Sequence, residues 1–256
     1  MDVASLSTGA RNLLLRALTI ATTAIASTGV ADAVECHSMK AAFEAQVCRV
    51  DVALDPLELR LLGSDFKPLK SFAALKDMAR EQHSSVLFAM NAGMFDRNYA
   101  PVGLLVENGR TVAALNERSG LGNFYLRPNG VFYVAHHRAA ILTTEEYENL
   151  HPADVTLATQ SGPMLVISGR IQSSLSPRSE SRFTRNGVGI TPDGQVAFVI
   201  SLVPVSLYDF ASFFRDTLGC RNALYLDGHV SSLLTRDMTI NGDGLGPLFV
   251  IRESSQ

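Results

Sequence analysis

In four places this chain sets a short apolar run beside polar residues and a glycine. They are Asn91-Ala92-Gly93-Met94-Phe95, Gln160-Ser161-Gly162-Pro163, Arg185-Asn186-Gly187 and Asp227-Gly228-His229. The first, second and fourth follow the runs Ser85–Met90, Val155–Ala158 and Ala223–Leu226, and the third precedes one. Apolar runs of this length, bounded by Gly, Pro, Asn and Asp, read as buried strands. Such a chain has to pack strands into sheets, with its polar residues at strand ends where a sheet opens to solvent. Glycine there lets the backbone turn sharply or lets another group approach closely.

The intervening segments extend this pattern. Val47–Leu54 alternates, Asp55-Pro56 turns, and Leu57–Leu62 reads as the returning strand of a hairpin. Val102–Val106 and Thr111–Leu115 flank Asn108-Gly109, a strong hairpin signal, and Phe124–Leu126 with Val131–Val134 reads as a second hairpin around Pro128-Asn129-Gly130. Gly187–Thr191 and Gln195–Ser201 form a third around Pro192-Asp193-Gly194. Two helices stand out. One covers 68–80, with Ser71 as its N-cap. The other starts after Ser206, carries Leu207, Phe210, Ala211, Phe214 and Leu218 on one face, and stops at Gly219. A short helix opens at Thr143-Thr144-Glu145-Glu146. The polar stretch 171–184 reads as a loop long enough to act as a lid, and Asn241–Gly246 as a surface turn. The fold class that follows is α+β: a single domain with a mixed, mostly antiparallel sheet and a few packed helices.

The beginning of the chain reads as an address rather than a fold. Arg11 and Arg16 precede a short, weakly apolar stretch, and Ala31-Asp32-Ala33 supplies a small-x-small cleavage signal. This predicts a secretory signal peptide over 1–33 and a mature domain over 34–256, periplasmic or secreted, with no stable membrane span. An oxidising destination permits a disulfide, and Cys36 and Cys48 are close enough in sequence to pair. Cys220 is left as a buried thiol. A net charge of −3 with no basic block argues against nucleic acid as a partner.

Residue chemistry narrows the function. A carboxylate at a strand tip, Asp227, can serve as proton donor, base or nucleophile at an anomeric carbon. A guanidinium such as Arg185 binds phosphate oxygens in a bidentate fashion, and glycine-flanked N–H groups make anion nests. Taken alone, Asp227-Gly228 could equally cap a turn. Ser161 fails the Gly-x-Ser-x-Gly elbow, since residues 159 and 163 are Thr and Pro. His136 and His137 lack carboxylates at metal-ligand spacing. Asp96 and Glu107 are candidates for a second catalytic carboxylate.

Taken in order, Asn-Ala-Gly-Met-Phe, Pro-Asn-Gly-Val-Phe, Gln-Ser-Gly-Pro-Met-Leu-Val, Arg-Asn-Gly-Val-Gly and Ala-Leu-Tyr-Leu-Asp-Gly resemble the phosphodiester glycosidase family, over about Val47–Ile251. The resemblance implies a mixed α/β fold and hydrolysis of a sugar–phosphate diester with release of the sugar. It carries over to Asn91 and Gly93, Ser161 and Gly162, Arg185 and Gly189, and Asp227, Gly228 and Ser231. The last motif usually reads Asp-Gly-Gly-Gly-Ser; here His229 and Val230 replace two glycines, which alters the pocket and its ligand. The reading that follows is an exported hydrolase. Asp227, Arg185 and Asn91 are catalytic in it, and Gly93, Ser161, Gly162, Gly228, His229 and Ser231 contact substrate. No cofactor is called for, although a divalent ion on Asp227 stays open. Two other readings stand beside it: a non-catalytic periplasmic module binding envelope glycans or a protein partner, and a metal-assisted phosphodiesterase cleaving the other ester bond.

Overall fold

Apolar runs of this kind cannot bury both faces alone, and here they are layered into three larger antiparallel sheets, with a two-stranded one beside them. The computed structural model describes Met1 and residues 34–253, so the signal-peptide reading of 1–33 falls, but for Met1, outside the described residues. The largest sheet has seven strands in the order Glu35–Lys40, Glu44–Val50, Val196–Ser201, Asn186–Ile190, Asn222–Tyr225, Met164–Ile167 and Arg170–Ile171. A second, five-stranded sheet orders Arg110–Ala113, Leu105–Glu107, Val155–Ser161, Gly130–Ala135 and Arg138–Thr143. The third orders Thr239–Ile240, Leu233–Thr235, Val86–Asn91, Leu248–Arg252 and Glu58–Arg60. The α+β class holds, with strand far outweighing helix, and every pairing among the described strands is antiparallel.

The sheets meet at a knot of aromatic rings. Phe198 of the large sheet lies 5.0 Å from Phe88 and 4.9 Å from Phe249, both in the third sheet. Phe132 of the second sheet is edge-on to Phe249 at 5.3 Å. All four are fully buried, and each such side chain stabilises the fold by about 1.5–3 kcal/mol. This shared core holds strand ends from different sheets in fixed register.

Both main helices carry the N-caps expected of them, although the first begins at Phe72 and not at residue 68. Ser71 Oγ accepts from Ala74 N at 3.1 Å ahead of helix Phe72–Glu81, and Ser206 Oγ accepts from Asp209 N at 3.0 Å ahead of Leu207–Ser212. The second helix widens into a π-helical turn, Phe213–Thr217, and ends at Gly219, whose φ of +68° suits glycine. The Asn108-Gly109 and Pro192-Asp193-Gly194 hairpins form as expected.

Three local expectations are overturned. Glu44–Val50 and Glu58–Arg60 do not form a hairpin; they pair in different sheets. Asp51 closes a tight turn, its carbonyl accepting from Leu54 N and Asp55 N and its Oδ1 from Ala53 N, and this turn carries the chain from one sheet to another. Phe124 lies in a 3-10 turn, Asn123–Tyr125, so Gly130–Ala135 pairs with Arg138–Thr143 and Val155–Ser161 instead. The glycine-rich stretch 241–246 contains a short strand, Asp243–Leu245, paired with Lys70–Ser71. At the other edge, Cys36 and Cys48 face each other across the first hairpin and are joined as a disulfide. Cys220 is a buried free thiol, its pKa pushed up to about 12 by burial.

Candidate functional site

Three strand ends from two sheets converge at Asn91, Asn186 and Asp227. Val86–Asn91 delivers Asn91, the strand starting at Asn186 delivers that amide, and Asn222–Tyr225 runs on through Leu226 to Asp227. Asn91 is the hub and is 1% exposed. Its Nδ2 donates to the Asp227 carbonyl at 2.8 Å, and its Oδ1 accepts from Ser232 N at 2.8 Å and from Asn186 Nδ2 at 2.9 Å. The same Asn186 amide also donates to the Asn91 carbonyl at 2.9 Å. Ser231 Oγ donates to the Thr184 carbonyl at 3.0 Å and to Asn186 Oδ1 at 3.2 Å. The backbone seals the joint: Asp227 N donates to the Ala92 carbonyl and Leu226 N to that of Asn186. Buried amides satisfied this fully make a rigid unit.

Asp227 is half-buried, and its Oδ1 accepts from His229 N at 3.1 Å. Burial raises its pKa above the usual carboxylate range, while the backbone N–H and the charge of His229 pull the other way. His229 itself is exposed, and Val230 packs into the apolar cluster beneath helix Phe72–Glu81. The two residues that replace glycines thus split their work, one anchoring the loop and one facing solvent.

Arg185 is 2% exposed and turned inward. Nε donates to the Val205 carbonyl at 2.8 Å, Nη1 to Tyr225 Oη at 3.0 Å and Nη2 to the Ser181 carbonyl at 2.9 Å. It makes no ion pair with a carboxylate among the described residues. The expectation of a guanidinium open to grip phosphate is therefore revised: in this conformation Arg185 is buried and its guanidinium is held by protein oxygens. Burial raises the Tyr225 pKa, and the Arg185 charge and the Gly228 N–H oppose that rise. Tyr225 thus links Arg185 to the turn carrying Asp227.

The glycines have a packing reason to be glycines. A Cβ on Gly93 would stand 2.6 Å from the Gln160 carbonyl oxygen, and one on Gly162 2.7 Å from Asn129 Cβ. One on Gly189 would stand 2.7 Å from the Phe214 ring, and one on Gly228 2.6 Å from Tyr225 Cζ. Each permits close approach of protein to protein.

Ser161 ends the strand Val155–Ser161 and is fully buried, yet its Oγ has no hydrogen-bond partner, the one such side-chain atom among the described residues. It makes no bond to the Asn91 cluster. It is a neighbour through backbone, since the Pro163 carbonyl accepts from Tyr225 N at 3.1 Å. The other carboxylates serve the fold: Asp96 Oδ1 caps its own turn at Asn98 N and Ala100 N, and Glu107 braces Leu61 N across two sheets. His136 pairs with Asp154 at 3.6 Å, and no three His, Cys, Asp or Glu side chains group as metal ligands among the described residues. A cleft of about 720 Å³ beside the disulfide, lined by His37, Gln46 and Asp237 among others, contains none of the cluster.

Two members of the cluster escaped the residue-level reading. Asn186 stands inside the Arg-Asn-Gly motif, where nothing local marks an amide out from the charged residue beside it. Tyr225 reads as one more apolar strand residue, and only the fold puts its hydroxyl against Arg185.

Comparison with known proteins bears on the whole arrangement. Residues 84–246, which include every residue of the cluster, match the phosphodiester glycosidase family. YigE of Escherichia coli strain K12, an uncharacterised protein, is 42% identical over 148 residues, spanning 58% of this chain and 58% of that protein. Two solved structures share the fold. One is the catalytic domain of zebrafish N-acetylglucosamine-1-phosphodiester alpha-N-acetylglucosaminidase, auto-inhibited by its pro-peptide: TM-score 0.59, 14% identity, 86% of this chain and 82% of that one. The other is BPSS2145 of Burkholderia pseudomallei K96243: TM-score 0.55, 12% identity, 82% of this chain and 74% of that one. With the match spanning well over half its length, this chain belongs to the phosphodiester glycosidase family.

Proposed function

We propose that the protein hydrolyses a sugar–phosphate diester at the glycosidic bond. Water adds to the anomeric carbon, the bond from that carbon to the phosphate oxygen breaks, and its electron pair leaves with the phosphomonoester. The observation that carries this reading is the joint at Asn91, Asn186 and Asp227, which holds the Asp227 backbone and so positions one carboxylate at a strand end. Asp227 acts at the anomeric carbon, either taking a proton from the attacking water or attacking as the nucleophile. The Arg185 charge, relayed through Tyr225, favours an anionic leaving group close by, and Asn91, Asn186 and Ser231 hold the Asp227 loop in place. A phosphate whose charge is stabilised leaves readily, so the scheme needs no second catalytic carboxylate. The name of the zebrafish relative makes N-acetylglucosamine 1-phosphodiesters the first substrates to try.

The same reading places the protein outside the reducing cytosol. The Cys36–Cys48 disulfide supports it, as does the name of BPSS2145, which describes that protein as exported.

Asp227→Asn tests the mechanism on a panel of hexose 1-phosphodiesters. Removing a general base or nucleophile lowers kcat/KM by about 100-fold or more, with free sugar and a phosphomonoester as the wild-type products. Near-wild-type turnover in Asp227→Asn sinks the role given to Asp227. Sugar phosphate as product would point to a phosphodiesterase, and saturable binding without turnover to a glycan-binding module.

A further inference from the structure

An exposed phenylalanine alone needs no explanation, but Phe183 is set apart by how it is held and where. Its side chain is 58% exposed, yet its backbone is clamped to Val205 in both directions: Phe183 N donates to the Val205 carbonyl at 3.2 Å and Val205 N to that of Phe183 at 2.9 Å. The Arg185 guanidinium backs one face of the ring, 5.5 Å from its centroid, leaving the rest to solvent. The same guanidinium lies 5.4 Å from the Tyr225 ring, whose hydroxyl abuts Gly228, next to Asp227. The following residue, Thr184, accepts from Ser231 at 3.0 Å, so the segment bearing Phe183 runs along the loop that carries the carboxylate. A rigid apolar plate is thus linked, through Arg185 and Tyr225 and through Thr184 and Ser231, to the turn that carries Asp227.

We propose that Phe183 is a sugar-stacking subsite: the apolar C–H face of the hexopyranose lies on the open face of the ring while C1 is presented to Asp227. Pockets that orient small ligands combine apolar contact area with a few placed polar groups, and Phe183 supplies such area here. The proposal rests on the glycosidase reading for its substrate class, but it can be read out without catalysis.

The chain has no tryptophan, so Phe183→Trp introduces a single fluorescent reporter at the plate. The probes are glucose, galactose and N-acetylglucosamine 1-phosphates, with inorganic phosphate as the control. The expected result is a saturable change in the emission of the introduced indole with at least one sugar phosphate and none with phosphate alone. In steady state, Phe183→Ala is expected to raise KM for the cleaved diester about tenfold, the equivalent of one aromatic stacking contact, with kcat within a few-fold and Phe183→Trp restoring KM. Wild-type turnover combined with an unchanged KM in Phe183→Ala, or with a silent indole in Phe183→Trp, overturns the stacking subsite and leaves the glycosidase reading standing. A saturable indole signal without turnover keeps the subsite and overturns the enzyme. Neither signal nor turnover overturns both.

Discussion

Truncating Asn91 to alanine is the sharpest structural test of the candidate site, because its cost can be worked from the bonds it breaks. The side chain donates to the Asp227 carbonyl and accepts from Ser232 N and Asn186 Nδ2 in a buried setting. Asn186 keeps the Asn91 carbonyl as a partner, and the Asp227 carbonyl keeps a weak one in Val230 N at 3.4 Å. Ser232 N–H is left stranded. An unpaired buried polar group costs about 1–3 kcal/mol, so one group fully stranded and one partly stranded sum to roughly 2–4 kcal/mol by the same principle. For a domain of this size that lowers Tm by roughly 5–15 °C. Urea unfolding should show a lower midpoint with an unchanged slope. In a double-mutant cycle with Asn186→Ala the two changes should couple by about 1 kcal/mol or more, since the amides share one network. Hydrolysis should fall at least as far as the loss of Asp227 alignment dictates, by about tenfold or more. A destabilisation under about 0.5 kcal/mol, the noise level of surface substitutions, or additive behaviour in the cycle, would refute the claim that this joint positions Asp227.

Two further predictions concern pH and the disulfide. Burial raises the Asp227 pKa, so the native state favours its protonated form; that stabilising contribution is present below the unfolded value of about 3.9 and is lost as pH rises through the raised value. Asp227→Asn should therefore be more stable than wild type at neutral pH, with the difference closing in acid by thermal melts, and the acid limb of wild-type kcat/KM should lie above the ordinary carboxylate range. Glu107 also carries a raised pKa through burial, and an acid limb that persists unchanged in Glu107→Gln assigns it to the site rather than to that brace. Reducing the Cys36–Cys48 bond, which spans 12 positions of sequence, should lower stability by about 3 kcal/mol, read as a midpoint shift in urea with and without reductant.

Legibility in the sequence followed the range of the interaction responsible. The helices at Phe72–Glu81 and Leu207–Ser212 were readable because their caps and apolar faces are local, as were the hairpins closed by Asn108-Gly109 and Pro192-Asp193-Gly194. The false hairpin at 47–62 shows the limit: both strands exist, but Glu44–Val50 pairs with the preceding Glu35–Lys40 and with Val196–Ser201, about 150 residues on, and Glu58–Arg60 with Leu248–Arg252, about 190 residues on. Asn91 and Asp227 were legible as polar ends of apolar runs. Their meeting through one hydrogen bond from the Asn91 side-chain amide to the Asp227 carbonyl was not.

By itself the sequence settled the residue types at the strand ends, the strand-rich α+β class and, through motif order, the family. Those depend on local pattern, which a linear chain displays. Only the tertiary structure decided that Arg185 turns inward to Tyr225, that the glycines stand in close contact with neighbouring protein atoms, and that Asn186 belongs to the cluster. Each depends on which surfaces a distant segment presents, and that is set when three sheets share one core.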